Sequence, residues 1–145
     1  MRKIIAGSVE LENLHLTNLF VFDLSDVEVK GDFGCNKNNL TNLEGSPHIV
    51  GNAFACQYTG LTSLKGAPES LGGSFNCSNN KLPSLYGSPH TVGRDFVCYN
   101  NPLTSLDGIP TSIGGGFHIS SSLKDEFPEE YINSLSKIKR GVFYA

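Results

Sequence analysis

The sequence is poor in several residue types that would direct a protein towards particular functions. It has no tryptophan, and charged side chains make up only 17% of its 145 residues, against roughly 25% in an average soluble protein. Its net charge of −3 excludes the basic excess of nucleic-acid-binding proteins and of electrostatic membrane anchors. No stretch approaches the roughly 18–20 apolar residues of a membrane span, and the apolar run at residues 4–6 is too short for a signal peptide. The composition therefore predicts a cytoplasmic protein with no nucleic-acid partner and no membrane partner.

Glycine, in contrast, is abundant, and it belongs to a repeat of 21 residues that runs without insertion from Phe33 to Phe117. The repeated phenylalanines are Phe33, Phe54, Phe75, Phe96 and Phe117. Cysteine follows two residues after the first four of them, at Cys35, Cys56, Cys77 and Cys98. Each of these units continues with two leucines, a Gly-x-Pro step, an aliphatic residue and a further glycine. A fixed period of this kind predicts a solenoid of stacked coils.

The order of residues within the unit, F-x-C-x-x-N-x-L-T-S-L-x-G-x-P, predicts the shape of one coil. Phenylalanine and cysteine lie two residues apart, so both point to the same side of a strand. The asparagine that follows, replaced by Thr59 in the second unit, can bind backbone amides where the chain turns. Glycine and proline prevent a helix and return the chain. We therefore expect one short strand per coil in a parallel sheet, and about six coils stacked at about 4.8 Å.

The pattern F-x-C-x-x-N-x-L resembles the L-x-L-x-x-N-x-L core of leucine-rich repeats. The 21-residue unit, with its Leu-Thr-Ser-Leu-x-Gly-x-Pro tail, looks like the short bacterial and bacteriophage class of these repeats. One departure is that the preceding aliphatic residue lies four positions before phenylalanine instead of three. The resemblance implies a curved solenoid that binds proteins. For a bacteriophage protein it implies action in the host bacterial cytoplasm, as an inhibitor of a host defence or transcription protein.

The two ends depart from the repeat, which divides the chain into three parts. Residues 1–32 are interpreted as an N-terminal cap with a degenerate repeat, because the phenylalanine position projects onto Glu12. Residues 33–117 hold four full repeats. Residues 118–145 are interpreted as a C-terminal capping segment, in which the spacing of Phe127, Tyr131, Leu135 and Ile138 predicts one face of a helix. We expect this helix to cover the last open strand edge.

The cysteines and histidines are the candidates for metal or catalytic chemistry. Stacking at a period of 21 places the four thiols in a line, whereas zinc requires a tetrahedron of ligands, so we predict buried structural cysteines. His48 and His90 share a repeat position but lie two coils apart, roughly 10 Å, too far to share a metal ion. The sequence has no phosphate-binding GxxxxGK[ST] loop, and its repeat positions assemble no Ser-His-Asp arrangement. It therefore predicts no metal, no cofactor and no enzymatic activity.

The strand residues that point away from the core are the candidates for binding another protein. They vary from repeat to repeat, while the core positions stay uniform. In a solenoid of the type implied by the resemblance they would line the concave face. The predicted binding residues are Asn36, Gln57, Tyr58, Asn76, Ser78, Asp95, Val97, Tyr99 and His118. Tyr58 and Tyr99 are the predicted anchors, because tyrosine is enriched in interface hot spots. The alternative function is a structural protein that self-associates, as a homo-oligomer, through the solenoid ends or the C-terminal helix.

Overall fold

The computed structural model describes residues 3–145, which form a solenoid of seven coils with two parallel sheets. The first sheet, here named the Val sheet, contains β1 (Lys3–Ile5), β3 (Val27–Val29), β5 (Ile49–Val50), β7 (Ser70–Leu71), β9 (Thr91–Val92), β11 (Ser112–Ile113) and β13 (Lys137–Ile138). The second, the Phe sheet, contains β2 (Val9–Glu10), β4 (Phe33–Gly34), β6 (Phe54–Ala55), β8 (Phe75–Asn76), β10 (Phe96–Val97), β12 (Phe117–Ile119) and β14 (Val142–Tyr144). One helix, α1 (Glu129–Leu135), and two short 3₁₀ turns (Phe20–Phe22 and Ser121–Leu123) complete the described elements.

The predicted parallel solenoid, mainly β with one C-terminal helix, is confirmed, and two details differ. The structure has seven coils, near the predicted six. Each coil contributes two strands, where the sequence predicted one. The second strand forms because the aliphatic residue before the glycine also pairs from coil to coil, as Val50 does with Leu71 and Leu71 with Val92.

Equivalent side chains stack on one another between the two sheets. The five repeated phenylalanines pair in register from β4 to β12, with neighbouring ring centroids 5.1 to 5.7 Å apart. The four cysteines, the repeated leucines and the aliphatic residues of the Val sheet are buried beside them. A coil cannot bury these faces alone, so each coil depends on its neighbours for a core.

Three asparagine side chains, those of Asn38, Asn80 and Asn101, bind their coil to the one before it. Asn80 Nδ2 donates to the carbonyl of Cys77 in its own coil at 3.0 Å and to that of Cys56 in the preceding coil at 2.9 Å. The Asn80 Oδ1 atom accepts the backbone N–H groups of Thr59 and Leu61 at 3.0 and 3.1 Å, and also the Thr59 hydroxyl. Equivalent bonds to two successive coils are made by Asn38 and Asn101. The predicted asparagine turn is confirmed, and it also connects coils.

The glycine after the second leucine is required by the turn that it makes. Gly87 has φ of +89°, a region that residues with a side chain rarely adopt. A Cβ atom at Gly87 would also overlap the backbone nitrogen of Lys65 in the preceding coil. Gly66 and Gly108 repeat this arrangement. The glycines therefore permit the turn and the close stacking of successive coils.

The strand of the first coil is rebuilt at a position that the sequence period did not predict. Val9 pairs with Phe33 in the Phe sheet, so these equivalent residues are 24 positions apart. A projection by 21 residues falls on Glu12 instead of Val9 because three extra residues enter this coil. The 3₁₀ turn Phe20–Phe22 lies in this longer first coil, and all three of its side chains are exposed.

The C-terminal helix is shorter than the spacing predicts. It ends at Leu135, and Ser136 is already extended. Ile138, predicted to continue the helix, instead pairs with Ile113 in the Val sheet. The buried residue of the helix is Ile132, whereas Tyr131 and Leu135 are exposed. Because β13 and β14 follow the helix, strands rather than the helix form the last rung of each described sheet.

Candidate protein-binding surface

The outer face of the Phe sheet is the surface on which most of the predicted binding residues lie. Phenylalanine and cysteine point inward from these strands, so the residues between them point outward. We name this surface the outer Phe face. Its first row is Gly34, Ala55, Asn76, Val97, His118 and Phe143, and its second row is Asn36, Gln57, Ser78, Tyr99 and Ser120. These rows change from coil to coil, while the phenylalanine row beneath them does not.

The structure places the nine predicted residues in four positions relative to the strands. Asn76, Val97 and His118 lie within β8, β10 and β12. Asn36, Gln57, Ser78 and Tyr99 lie just beyond the ends of their strands, and Asp95 directly precedes β10. Tyr58 lies in the turn after β6.

Several of the polar side chains on this face are engaged in bonds of the protein itself. Asn36 Oδ1 accepts the backbone N–H of Gln57 in the next coil at 2.8 Å. Ser78 is only 1% exposed, and its hydroxyl donates to Asn76 Oδ1 at 2.7 Å. These bonds engage Asn36, Asn76 and Ser78, whereas Gln57 Oε1 has no hydrogen-bond partner in the described part of the chain. The larger exposed side chains must therefore supply most of the contact with a partner.

Tyr58 is the most exposed of the predicted anchors, at 59%. Its φ of +56° lies in the left-handed region, which is uncommon for residues other than glycine, asparagine and aspartate. The equivalent residues Lys37, Asn79 and Asn100 share this conformation. The left-handed turn therefore belongs to the repeat itself, and tyrosine occupies a position better suited to asparagine.

The C-terminal end of the outer Phe face is aromatic. The rings of His118 and Phe143 are stacked, with centroids 4.9 Å apart and planes inclined by 15°. Val97 and Tyr99 lie beside them in the preceding coil. We name Val97, Tyr99, His118 and Phe143 the aromatic end. His118 Nε2 lies 3.8 Å from Asp95 Oδ2.

The sequence did not identify Phe143 as a surface residue. It lies in a segment interpreted as part of the C-terminal cap, and its register to His118 depends on the seventh coil. One signal was present: the triplet Val-Phe-Tyr after Gly141 consists of β-branched and aromatic residues, which are enriched in strands.

The comparisons with known proteins give no relative from which a function could be transferred. No protein-family model, no curated protein and no solved structure matches the chain. Among residues 3–145, no helix is both long and apolar enough to cross a membrane.

The four cysteines are free and buried. Desolvation by burial raises the pKa of each thiol, which keeps the thiols protonated and unreactive. Each also lies in the core, away from the outer Phe face. In the part of the chain that the structure describes, no group of three or more histidine, cysteine or acidic residues is arranged to hold a metal ion.

Proposed function

We propose that this chain is a non-catalytic protein-binding module that presents the outer Phe face to another protein. The observation that carries the proposal is the contrast between the two sides of one sheet. Beneath the face, five phenylalanines stack in register, whereas above it the equivalent residues change from alanine to asparagine, valine and histidine. Constant packing beneath a variable surface is what a recognition scaffold requires.

The resemblance to short bacterial and bacteriophage leucine-rich repeats supports a more specific form of this proposal. The chain would act in the bacterial cytoplasm, where it binds a host defence or transcription protein and blocks the surface that this protein uses. The stacked coils favour such a role because a preorganised surface loses little conformational entropy on binding.

Affinity capture from bacterial lysate, followed by mass spectrometry and by binding measurements with the purified partner, tests the proposal. Tyr58→Ala and Tyr99→Ala should each weaken binding of that partner by about tenfold or more, as expected for aromatic hot spots. Tyr86→Ala is the matched control, because Tyr86 is exposed but lies in the turn after Leu85, outside the Phe sheet. If no partner is captured, or if all three variants bind it equally, the outer Phe face is not the binding surface.

Self-association is the second candidate function, and the ends of the solenoid favour it. Within residues 3–145, the terminal strands β1, β2, β13 and β14 each pair with a strand on one side only. Such edges are templates for pairing with another chain. Multi-angle light scattering over a range of concentrations separates the two functions. A stable oligomer favours assembly, and a monomer throughout argues against it.

A further inference from the structure

Two arginines lie in one row at the corner between the sheets, beside the aromatic end. The Arg94 carbonyl accepts the N–H of Gly115 at 2.8 Å, and the Gly115 carbonyl accepts the N–H of Arg140 at 3.0 Å. Arg94 and Arg140 are therefore equivalent residues two coils apart, or about 10 Å at the spacing of parallel strands. They are two of the three arginines in the sequence.

A depression of about 530 Å³ lies between these two arginines. Gly93, Gly114 and Gly115 line it and leave its centre free of side chains. Asp95 also lines the depression, but Asp95 Oδ1 accepts the N–H of Gly116 at 2.8 Å, and its other oxygen lies towards His118.

The two arginines of this corner form no ion pair within the described part of the chain, and the single carboxylate that lines the depression, Asp95, offsets only part of their charge. Four lysines form ion pairs with carboxylates, in the pairs Lys3–Asp26, Lys30–Glu28, Lys37–Glu12 and Lys65–Glu44. Among residues 3–145, neither Arg94 nor Arg140 has a hydrogen-bond or ion-pair partner for its guanidinium group. A chain with a net charge of −3 thus keeps two unpaired arginines facing one depression.

We propose that Arg94 and Arg140 bind the carboxylates of an acidic segment of the partner protein, whose apolar side chains contact the aromatic end. The inference rests on the proposed function and specifies the chemistry of the partner. Guanidinium groups present paired N–H donors that match a carboxylate. Val97 and Phe143 follow Arg94 and Arg140 by three residues each, about 10 Å along an extended strand, and supply apolar contact to the same segment.

The backbone of the depression favours carboxylate over phosphate. Phosphate sites on glycine-rich loops use free backbone N–H groups. Here the N–H of Gly93 donates to Leu71 at 3.0 Å and that of Gly114 to Val92 at 2.8 Å, within the sheet ladder. The N–H of Gly115 likewise donates to Arg94. Only the two side chains remain to recognise an anion, which suits the carboxylates of an acidic peptide.

Fluorescence anisotropy with a labelled peptide, Glu-Glu-Phe-Glu-Glu, tests the inference on the full chain at low ionic strength. Arg94→Gln and Arg140→Gln should each weaken binding by about tenfold, the expected loss of a charge-assisted hydrogen bond. Lys81→Gln is the matched control, because Lys81 is exposed and lies outside the depression, and it should change binding by less than about twofold. Circular dichroism of each variant checks that it is folded.

Three results would overturn the inference. The first is that the peptide does not bind, and the second is that Lys81→Gln weakens binding as much as the arginine variants do. The third is that inorganic phosphate binds the wild type more tightly than the peptide and displaces it. The proposed function is judged separately, with the partner captured from lysate. If Tyr58→Ala and Tyr99→Ala lose that partner while both arginine variants still bind it, the proposed function stands. The inference that the arginines bind an acidic segment would then be rejected.

Discussion

Tyr58 combines an exposed side chain with the left-handed turn that Lys37, Asn79 and Asn100 share. Its φ is +56°, and its side chain is 59% exposed. For a residue with a Cβ atom, the left-handed conformation costs about 1–2 kcal/mol, and asparagine reduces this cost through local hydrogen bonds. An exposed ring returns little packing energy to the fold. The exposed ring is therefore available for contact with a partner.

Tyr58→Asn should raise the free energy of unfolding by about 0.5–1 kcal/mol while weakening partner binding, because it relieves the strain and removes the anchor. Urea denaturation measures the first effect, and binding to the captured partner measures the second. Tyr86→Asn is the control, since Tyr86 does not share the left-handed conformation, and it should give neither effect. A Tyr58→Asn variant that binds the partner as well as wild type would show that the strain has no role in recognition.

The stacked phenylalanines are the main link between strands in the core. The Phe75 ring lies 5.2 Å from that of Phe54 and 5.4 Å from that of Phe96, so it contacts two neighbouring coils. It is fully buried. A change at Phe75 therefore opens two coil interfaces in the middle of the solenoid.

Phe75→Ala should lower the free energy of unfolding by about 3–5 kcal/mol, because it leaves a cavity in this stack. Phe75→Leu, which keeps most of the volume, should cost less than half as much. Chemical denaturation of both variants measures the difference. Phe143→Ala is the control, because Phe143 is an aromatic residue in a terminal strand and is half exposed. It should lower the free energy of unfolding by about 1 kcal/mol or less. Equal costs for Phe75→Ala and Phe143→Ala would contradict a core held by the stack.

The strict repeat made the central strands predictable from the sequence, and the ends were harder to predict. Between Phe33 and Phe117 the period places each phenylalanine, cysteine and leucine in the core, and the structure confirms each of them as buried. At the N-terminus, the three extra residues of the first coil shift the register, and a projection by 21 residues cannot detect them. Val9 was therefore missed as the equivalent of Phe33.

At the C-terminus, local helical spacing competed with sheet pairing. The spacing of Tyr131, Leu135 and Ile138 fits a helix, but Lys137 and Ile138 find strand partners in β11. Those pairings exist only once the sixth coil is folded, so local periodicity could not predict them. The same tertiary pairing brings Phe143 beside His118 and Arg140 into the row of Arg94. The aromatic end and its arginines therefore depend on a coil that the sequence did not predict.

The whole molecule carries its titratable thiols as one buried row, Cys35, Cys56, Cys77 and Cys98. Desolvation raises the pKa of each thiol in the folded chain. In the unfolded chain the same thiols are exposed and lose their protons near pH 8.5. Above that pH the folded state binds more protons than the unfolded state, so the free energy of unfolding falls as the pH rises. Below it, both states keep the thiol protons and this contribution is fully present.

Above about pH 8.5 the free energy of unfolding should fall as the pH rises, and each of the four thiols should add up to about 1.4 kcal/mol per pH unit to this slope. Denaturation of wild type and Cys77→Ala at a series of pH values between about 8 and 10 measures this slope. The variant has a lower stability throughout, because it leaves a small cavity, but it loses one titrating group. Its slope should therefore be shallower than that of wild type by about one thiol's share. Parallel slopes would mean that Cys77 ionises equally well in both states, and that the row is not sealed from water.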